Sequence, residues 1–411
     1  MTHCEGGPEQ LILRASMTHE PWIAPAEVNG AVRLSLGIIV RNEEEAIGPM
    51  LESVFRQTLF AELNKRGWLC EIVCVANGCT DRTVEIAQSI FAEKTASHPF
   101  ASSFTCRVES LARPGKLHAW NQYVHRLSAR EAECLFLADG DILIYHLTTL
   151  WNMYLALEHN ETATAVTDQP LKDIAFKRRN TWRERISLAT SRITQSHPAQ
   201  LTGQLYCIRS AVARNIYLPR DLMACEDGFI KALVCTYFLT RPQAFERVVR
   251  APDASHVFQA YVGLMEIVRN QKRQMIGQTI VHILVDGYLK GLRLEERLNL
   301  AETLQDKDRF EPDWLRALIH AHIAKIRHFW QLFPGAVSFR LARLDAIRGW
   351  RKIVHFPAAA LGFLISLLSC WLAYGFLKEG FQIYWPETKS PRLQEFKSES
   401  EAKNVSELTM R

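Results

Sequence analysis

The sequence predicts an α/β fold, a mostly parallel, doubly wound sheet with helices on both faces. Three observations carry this reading. Apolar, β-rich runs alternate with amphipathic helical segments from residue 31 onward, the pattern of a sheet covered on both sides. The runs stop at turn residues, Asn42, Asn77 and Asp139, and open sheets of this kind bind ligands at the carboxyl ends of their strands. Near residue 140 the run ECLFLADGDILI ends in two aspartates, Asp139 and Asp141. Asp-Gly-Asp is ordinary turn chemistry. A carboxylate pair where a buried strand stops is also a hard-oxygen site suited to Mg²⁺ or Mn²⁺ carrying a phosphate.

The elements follow in order. Residues 1–30 read as a loose leader with no secretory h-region. Ala31 to Val40 (AVRLSLGIIV) reads as a strand, and Asn42 to Gln57 as a helix with acidic residues early. Cys70 to Ala76 is a second strand, closed by Asn77-Gly78. Asp81 to Ala92 is a helix, Thr105 to Glu109 a short strand, Lys116 to Leu127 a helix, and Cys134 to Ala138 the strand that leads into the aspartates. Residues 144–160 read as helix, with 163–167 and Leu201 to Ile208 as further strands. After Ala224 the pattern is mainly helical, and Gly263 to Leu292 carries Arg269, Lys272 and Arg273 beside apolar residues. Such a basic amphipathic stretch lies on a bilayer surface or packs with a solvated face.

Phe356 to Phe376 holds twenty-one residues without a charge. At about 1.5 Å per residue this reaches roughly 32 Å, near the roughly 30 Å hydrocarbon core of a bilayer. Trp371 and Tyr374 lie near one end, and Arg340, Arg343, Arg348, Arg351 and Lys352 precede the run. The expectation is a single transmembrane helix over 354–377 with the large N-terminal part cytoplasmic. The domain reading is a leader at 1–30, an α/β domain at 31–280, a helical membrane-proximal region at 281–353, the span, and a polar tail at 378–411.

Bulk properties narrow the function. A net charge of +5 is mild, and no basic stripe with interleaved aromatics appears, so nucleic acid is not an expected partner. The ten cysteines are scattered without a CxxC pair, which reads as buried thiols in a reducing compartment.

Five elements occur in one order: VRNEEEAIG (40–48), VANGCTDRT (75–83), ARPGKLHAWN (112–121), LADGD (137–141) and CEDGF (225–229). Their order and their placement after strands resemble the family 2 glycosyltransferases with the GT-A fold, over roughly residues 33–280. The resemblance implies a GT-A type nucleotide-diphospho-sugar transferase domain, with the C-terminal helical region and the span added to it. It implies that Val40, Arg41, Asn42 and Glu43 lie near the base and ribose, and Asn77 at the base edge. Ala76 and Asn77 stand where the family usually has two aspartates, which weakens the expectation of uracil. Lys116 would face the diphosphate or the aspartates. Asp141 would be the metal ligand and Asp139 a second ligand or a ribose contact. Asp227 would be the general base and Glu226 its orienting partner. Gly203 and Gln204 would lie on the acceptor side, and Arg269 and Arg273 would bind the pyrophosphate. Asp81 and Asn121 read as structural, and His256 as a core histidine rather than a third metal ligand.

The expected function is an inverting, metal-dependent transfer of a hexose or N-acetylhexosamine. The donor is a nucleotide sugar, with a UDP-sugar the expected class. The acceptor is a lipid, a lipid-linked glycan or a polysaccharide at a membrane. One alternative is a non-catalytic nucleotide-sugar-binding scaffold. The other is a sugar nucleotidyltransferase, although the acidic turn at 43–45 lacks the basic Gly-rich loop that would hold a triphosphate.

Overall fold

The computed structural model describes residues 31–177, 179, 181, 184, 188, 201–223, 225–261, 263–332 and 351–379, with backbone alone at 351–359 and 361. The expected leader at 1–30, the basic residues Arg340, Arg343 and Arg348, and the tail beyond residue 379 lie outside the described residues.

The first half alternates strands and helices: β1 (Val32–Val40), α1 (Ile47–Phe55), α2 (Leu59–Arg66), β2 (Leu69–Asn77), α3 (Thr83–Ser97), β3 (Phe104–Leu111), α4 (Lys116–Gln122) and β4 (Cys134–Asp139). Then come β5 (Leu143–Ile144), α5 (Thr149–Glu158), β6 (Ala165–Lys172), β7 (Leu205–Arg209), α6 (Glu226–Cys235) and β8 (Val248–Phe258). The described remainder is helical, principally α7 (Leu264–Gly287), α8 (Leu300–Phe310), α9 (Trp314–Ile323) and α10 (Arg351–Glu379).

The described strands form one sheet in the order β3-β2-β1-β4-β7-β6-β8-β5. Strands β3, β2, β1 and β4 run parallel. Beyond β4 the sheet turns mixed, because β7 pairs antiparallel with both β4 and β6, and this corrects the expectation of a mostly parallel sheet. The chain winds from β1 outward to β2 and β3, then crosses back to β4 on the other side of β1. The carboxyl ends of β1 and β4 therefore flank a topological switch point, where an open sheet forms its ligand crevice.

Side chains on a strand alternate between faces, and the two cores follow that alternation. Ile39, Val73, Val75, Leu135, Leu137, Tyr206 and Ile208 share one core with α4, α6 and α7. Leu36, Ile38, Ile72, Cys74, Phe136, Ala138 and Cys207 share the other with α1, α3 and α5. Every residue of β2 is buried, as expected of a strand covered on both faces. Among the described residues the cysteines are free thiols, most of them buried.

The helix expected over Asn42 to Gln57 starts five residues late and is followed by the separate α2. Residues 41–46 are held as a turn against the turn after β2. The Glu44 amide donates to Asp81 and the Arg82 amide to Glu44. Strand β8 corrects the expectation of a mainly helical chain after Ala224. Its pairing with β6 slips between Thr167 and Gln169, opposite a bulge containing Pro252 and Asp253, whose φ is 48°. A bulge with proline breaks the alternation that would announce a strand.

The apolar run near the C-terminus is helical, but α10 lies against α7 and α9 with Ser366, Ser369, Cys370, Ala373 and Leu377 buried. Among the described residues no helix is long and apolar enough to cross a membrane, which corrects the expected span over 354–377. One face of α10 is spent on protein, where Ser369 and Ser366 hydrogen-bond Val268 and Gln271 of α7. Residues 280 and 353 fall inside continuous helices, so α7 and α10 run through the expected domain limits.

Candidate functional site

The site is assembled from the strand ends upward. At the end of β1, Val40 is buried and Asn42 adopts a left-handed φ of 53°, which asparagine tolerates better than most residues. The Asn42 side-chain oxygen accepts the Thr80 amide at 2.8 Å, and Glu43 donates its amide to the Thr83 hydroxyl at 2.8 Å. The polar groups placed by sequence near a nucleotide here thus first tie two turns together. Arg41 differs, since its Nε is buried without a hydrogen-bond partner among the described residues.

Next to it, at the end of β2, Asn77 is fully buried. Its Oδ1 accepts the Gly115 amide at 3.0 Å, and its Nδ2 has no partner. A buried amide group without a partner is costly and marks a place where a ligand oxygen would restore the lost bond. Asp81 accepts the Thr83 amide at 3.1 Å in the turn just ahead of α3.

On the other side of β1, Asp139 ends β4, and its amide donates to the Gln204 carbonyl at 2.9 Å. Gly140 follows because no side chain fits. A Cβ there would stand 2.3 Å from Cγ1 of Val40. Asp141 lies just beyond, close enough that its charge acts on Asp139.

Lys116, the first residue of α4, reaches across this edge. Its Nζ lies 2.6 and 2.8 Å from the two oxygens of Asp139 and 2.9 Å from Glu226. The donor-side and acceptor-side carboxylates expected from sequence are therefore joined by one ammonium. Glu226 and Asp227 open α6, where the helix dipole favours negative charge. Gly203 abuts them, and a Cβ on it would sit 3.4 Å from both Asp227 and Glu226. On α7, Arg273 is near enough for its charge to act on both carboxylates. Arg269 is exposed one turn earlier.

Burial and charge divide these groups into different roles. Burial raises the Asp139 carboxyl to about 7 despite Lys116, with Asp141 adding to the rise. Burial and the Glu226 charge raise Asp227 to about 6, against the pull of the Gly228 amide and Lys116. Burial opposes ionisation of Glu226 as well, but Lys116 outweighs it and holds Glu226 below its usual value. Burial disfavours charged Lys116, yet Asp139 and Glu226 keep its pKa above normal. Two adjacent carboxylates with pKa values driven apart is the pattern of divided labour in acid–base sites.

Among the described residues no three histidine, cysteine or acidic side chains form a ready metal cage. Asp139 and Asp141 offer hard oxygens only in part, and phosphate oxygens would have to complete the set. His256 is fully buried, with Nδ1 2.7 Å from Asp168 and Nε2 3.2 Å from the Gln204 side chain. Both ring nitrogens are engaged, as a core histidine requires. Sequence reading missed Asp168, and the only signal was an aspartate closing the apolar strand ATAVT. Asn121 exchanges two hydrogen bonds with the Leu218 backbone, a structural role.

A crevice at the switch point of an open sheet, edged by carboxylates and cations, has the chemistry to receive a charged, phosphate-bearing ligand. Residues 35–215 match the model described as glycosyl transferase family 2. No curated protein matches the chain. Among solved structures, a Pyrobaculum calidifontis mannosyltransferase in complex with GDP-Man and Mn²⁺ is similar at 16% identity and TM-score 0.48, covering 90% of this chain and 94% of that one. S. aureus TarS, residues 1–349, is similar at 15% identity and TM-score 0.39, covering 85% and 90%. Glucosyl-3-phosphoglycerate synthase from Mycobacterium tuberculosis, in complex with Mn²⁺, UDP-Glc and phosphoglyceric acid, is similar at 17% identity and TM-score 0.37, covering 62% and 85%.

Proposed function

We propose that the chain transfers a hexose or N-acetylhexosamine from a nucleotide sugar, with inversion, to a hydroxyl of a lipid, lipid-linked or polysaccharide acceptor. The observation that carries this is the bridge from Lys116 to Asp139 and Glu226, because it sets a phosphate-facing carboxylate beside an acceptor-facing one. Asp227 takes the proton of the attacking hydroxyl as the new bond forms at the anomeric carbon and the bond to the diphosphate breaks. With its carboxyl near 6, it is ionised at neutral pH and still basic enough to accept a proton. Glu226 keeps Lys116 charged, and Lys116 and Arg273 balance the charge left on the nucleoside diphosphate. Asp141 and Asp139 would hold Mg²⁺ or Mn²⁺, which would neutralise part of that charge.

The free Nδ2 of Asn77 suits a carbonyl oxygen on the base edge, as a uracil presents. Arg41 lies one strand end away, near the expected ribose. Gly203 leaves room beside Asp227 for the acceptor, and Gln204 stands next to it. A UDP-sugar remains the expected donor class.

The test is turnover. The purified chain is given Mn²⁺, an extract containing lipid and glycan acceptors, and radiolabelled nucleotide sugars one at a time, with Asp227→Asn in parallel. Label passing from one donor into product, and lost in Asp227→Asn, supports the reading. Equal transfer by Asp227→Asn would exclude this base, and donor binding without transfer would favour a scaffold.

A further inference from the structure

The outward face of α10 is built for an apolar neighbour that the described chain does not supply. Leu364, Leu368 and Trp371 are 62%, 45% and 57% exposed. They recur at three- and four-residue spacing, so they form one stripe. The half-buried positions beside them, Phe363, Leu367 and Leu372, are apolar too. A helix packed on one side normally turns polar residues to water on the other. Here no charged residue occurs between Phe356 and Phe376. A second exposure flanks the same helix crossing. Leu264 and Met265 are 57% and 61% exposed, and they lie one turn before Val268, which Ser369 of α10 touches. Contiguous apolar exposure of this kind marks an interaction site.

Cations edge this surface. Arg269 and Lys378 are exposed. Lys272 lies 4.7 Å from the centre of the Phe376 ring, and Lys378 lies 5.8 Å from that of Tyr374. Arg351 and Lys352 open α10 in the sequence. The acids on the same elements are Glu266, which accepts the Gly263 amide, Asp286 near the far end of α7, paired with His282 and Lys290, and Glu379 at the last position of α10.

We propose that this face docks on an anionic lipid bilayer. Helix α10 lies in the interface and immerses its outer side chains while its inner face stays on α7. Apolar residues ringed by lysine and arginine complement acyl chains beneath negative headgroups. Trp371 has the amphipathic ring that favours that depth. A second copy is the poorer occupant. A two-fold contact lays a patch on itself, and would set these cations against one another.

The proposal does not depend on the sugar donor. The full chain is sedimented with vesicles of phosphatidylcholine alone or mixed with phosphatidylglycerol, beside a Leu368→Glu/Trp371→Glu variant, with thermal melting as the check on folding. The expected result is recovery with the phosphatidylglycerol vesicles, weakened by salt, and about tenfold or more lower in the variant at an unchanged melting temperature. If that variant fails to fold, Lys378→Glu takes its place, with a smaller loss confined to the anionic vesicles. Absence of binding by the natural chain, or equal binding by the folded variants, overturns the proposal. So does a concentration-dependent dimer that the same substitutions dissociate without any vesicle binding.

Discussion

The strand ends of β1, β2 and β4 and the helices from α7 onward treat their polar and apolar groups in opposite ways. At the strand ends nearly every polar atom has an assigned partner inside the protein. Asn42 holds Thr80, Asn77 holds Gly115, and Lys116 holds Asp139 and Glu226. The exceptions, Nδ2 of Asn77 and Nε of Arg41, stand where a substrate is expected. In the helical half Asp308 and the serines of α10 are tied inside, while Leu364, Leu368 and Trp371 stand exposed outside. The first region has the polar chemistry the proposed donor needs, whereas the second carries the apolar face for which bilayer docking is proposed.

Substitutions can break or sharpen that contrast. The largest effect is expected from Asp227→Asn, with turnover down about 10²- to 10⁴-fold and donor binding kept, measured by single-turnover transfer and nucleotide titration. Lys116→Met should cost about 10²-fold in transfer. Its effect should be far from additive with Glu226→Gln, because the two share one contact, and a double-mutant cycle reads this directly.

In the helical half the expected loss is in stability instead. Asp308 is buried and accepts from the Trp314 indole at 2.7 Å and the Arg220 amide at 2.8 Å. Asp308→Ala should cost about 1–3 kcal/mol for each donor left unpaired, seen as a lower melting temperature with nucleotide affinity unchanged.

A smaller effect separates the two carboxylates by pH. Asp227 acts as a base only when ionised, and its carboxyl is raised to about 6. Transfer should therefore fall as pH drops through about 6. Since the Glu226 charge raises Asp227, Glu226→Gln should move that acid limb to lower pH in a pH–rate profile.

The parts of the site carried by short local patterns were legible in the sequence. An apolar run ending in Asp139 and Asp141, or a turn at Asn77-Gly78, states its own position at a strand end. Helix Lys116 to Leu127 was legible too, since α4 continues through a wider π turn at Tyr123–Leu127. Strand β8 was hidden by Pro252 and Asp253 at its bulge. The pair of Asp168 and His256 was hidden because it spans 88 positions and joins two strands. The apolar run at 356–376 was visible, but hydropathy does not distinguish a face turned to lipid from one turned to α7. Ser366 and Ser369, which bond to α7, were the residues in the run that bore on that choice.

The contact between Gly140 and Val40 has a consequence for how this sequence can drift. The two positions lie one hundred residues apart, yet they share one space, so a change at either is felt by the other. A methyl added at 140 would stand 2.3 Å from a Val40 methyl group. Gly140→Ala alone should then push the Asp139–Asp141 turn away from β1. Val40→Ala removes the worst of that overlap and leaves 3.2 Å to the Val40 Cβ, so the double change should recover part of what the single one loses. Among distant relatives these two sites would be expected to vary together or not at all.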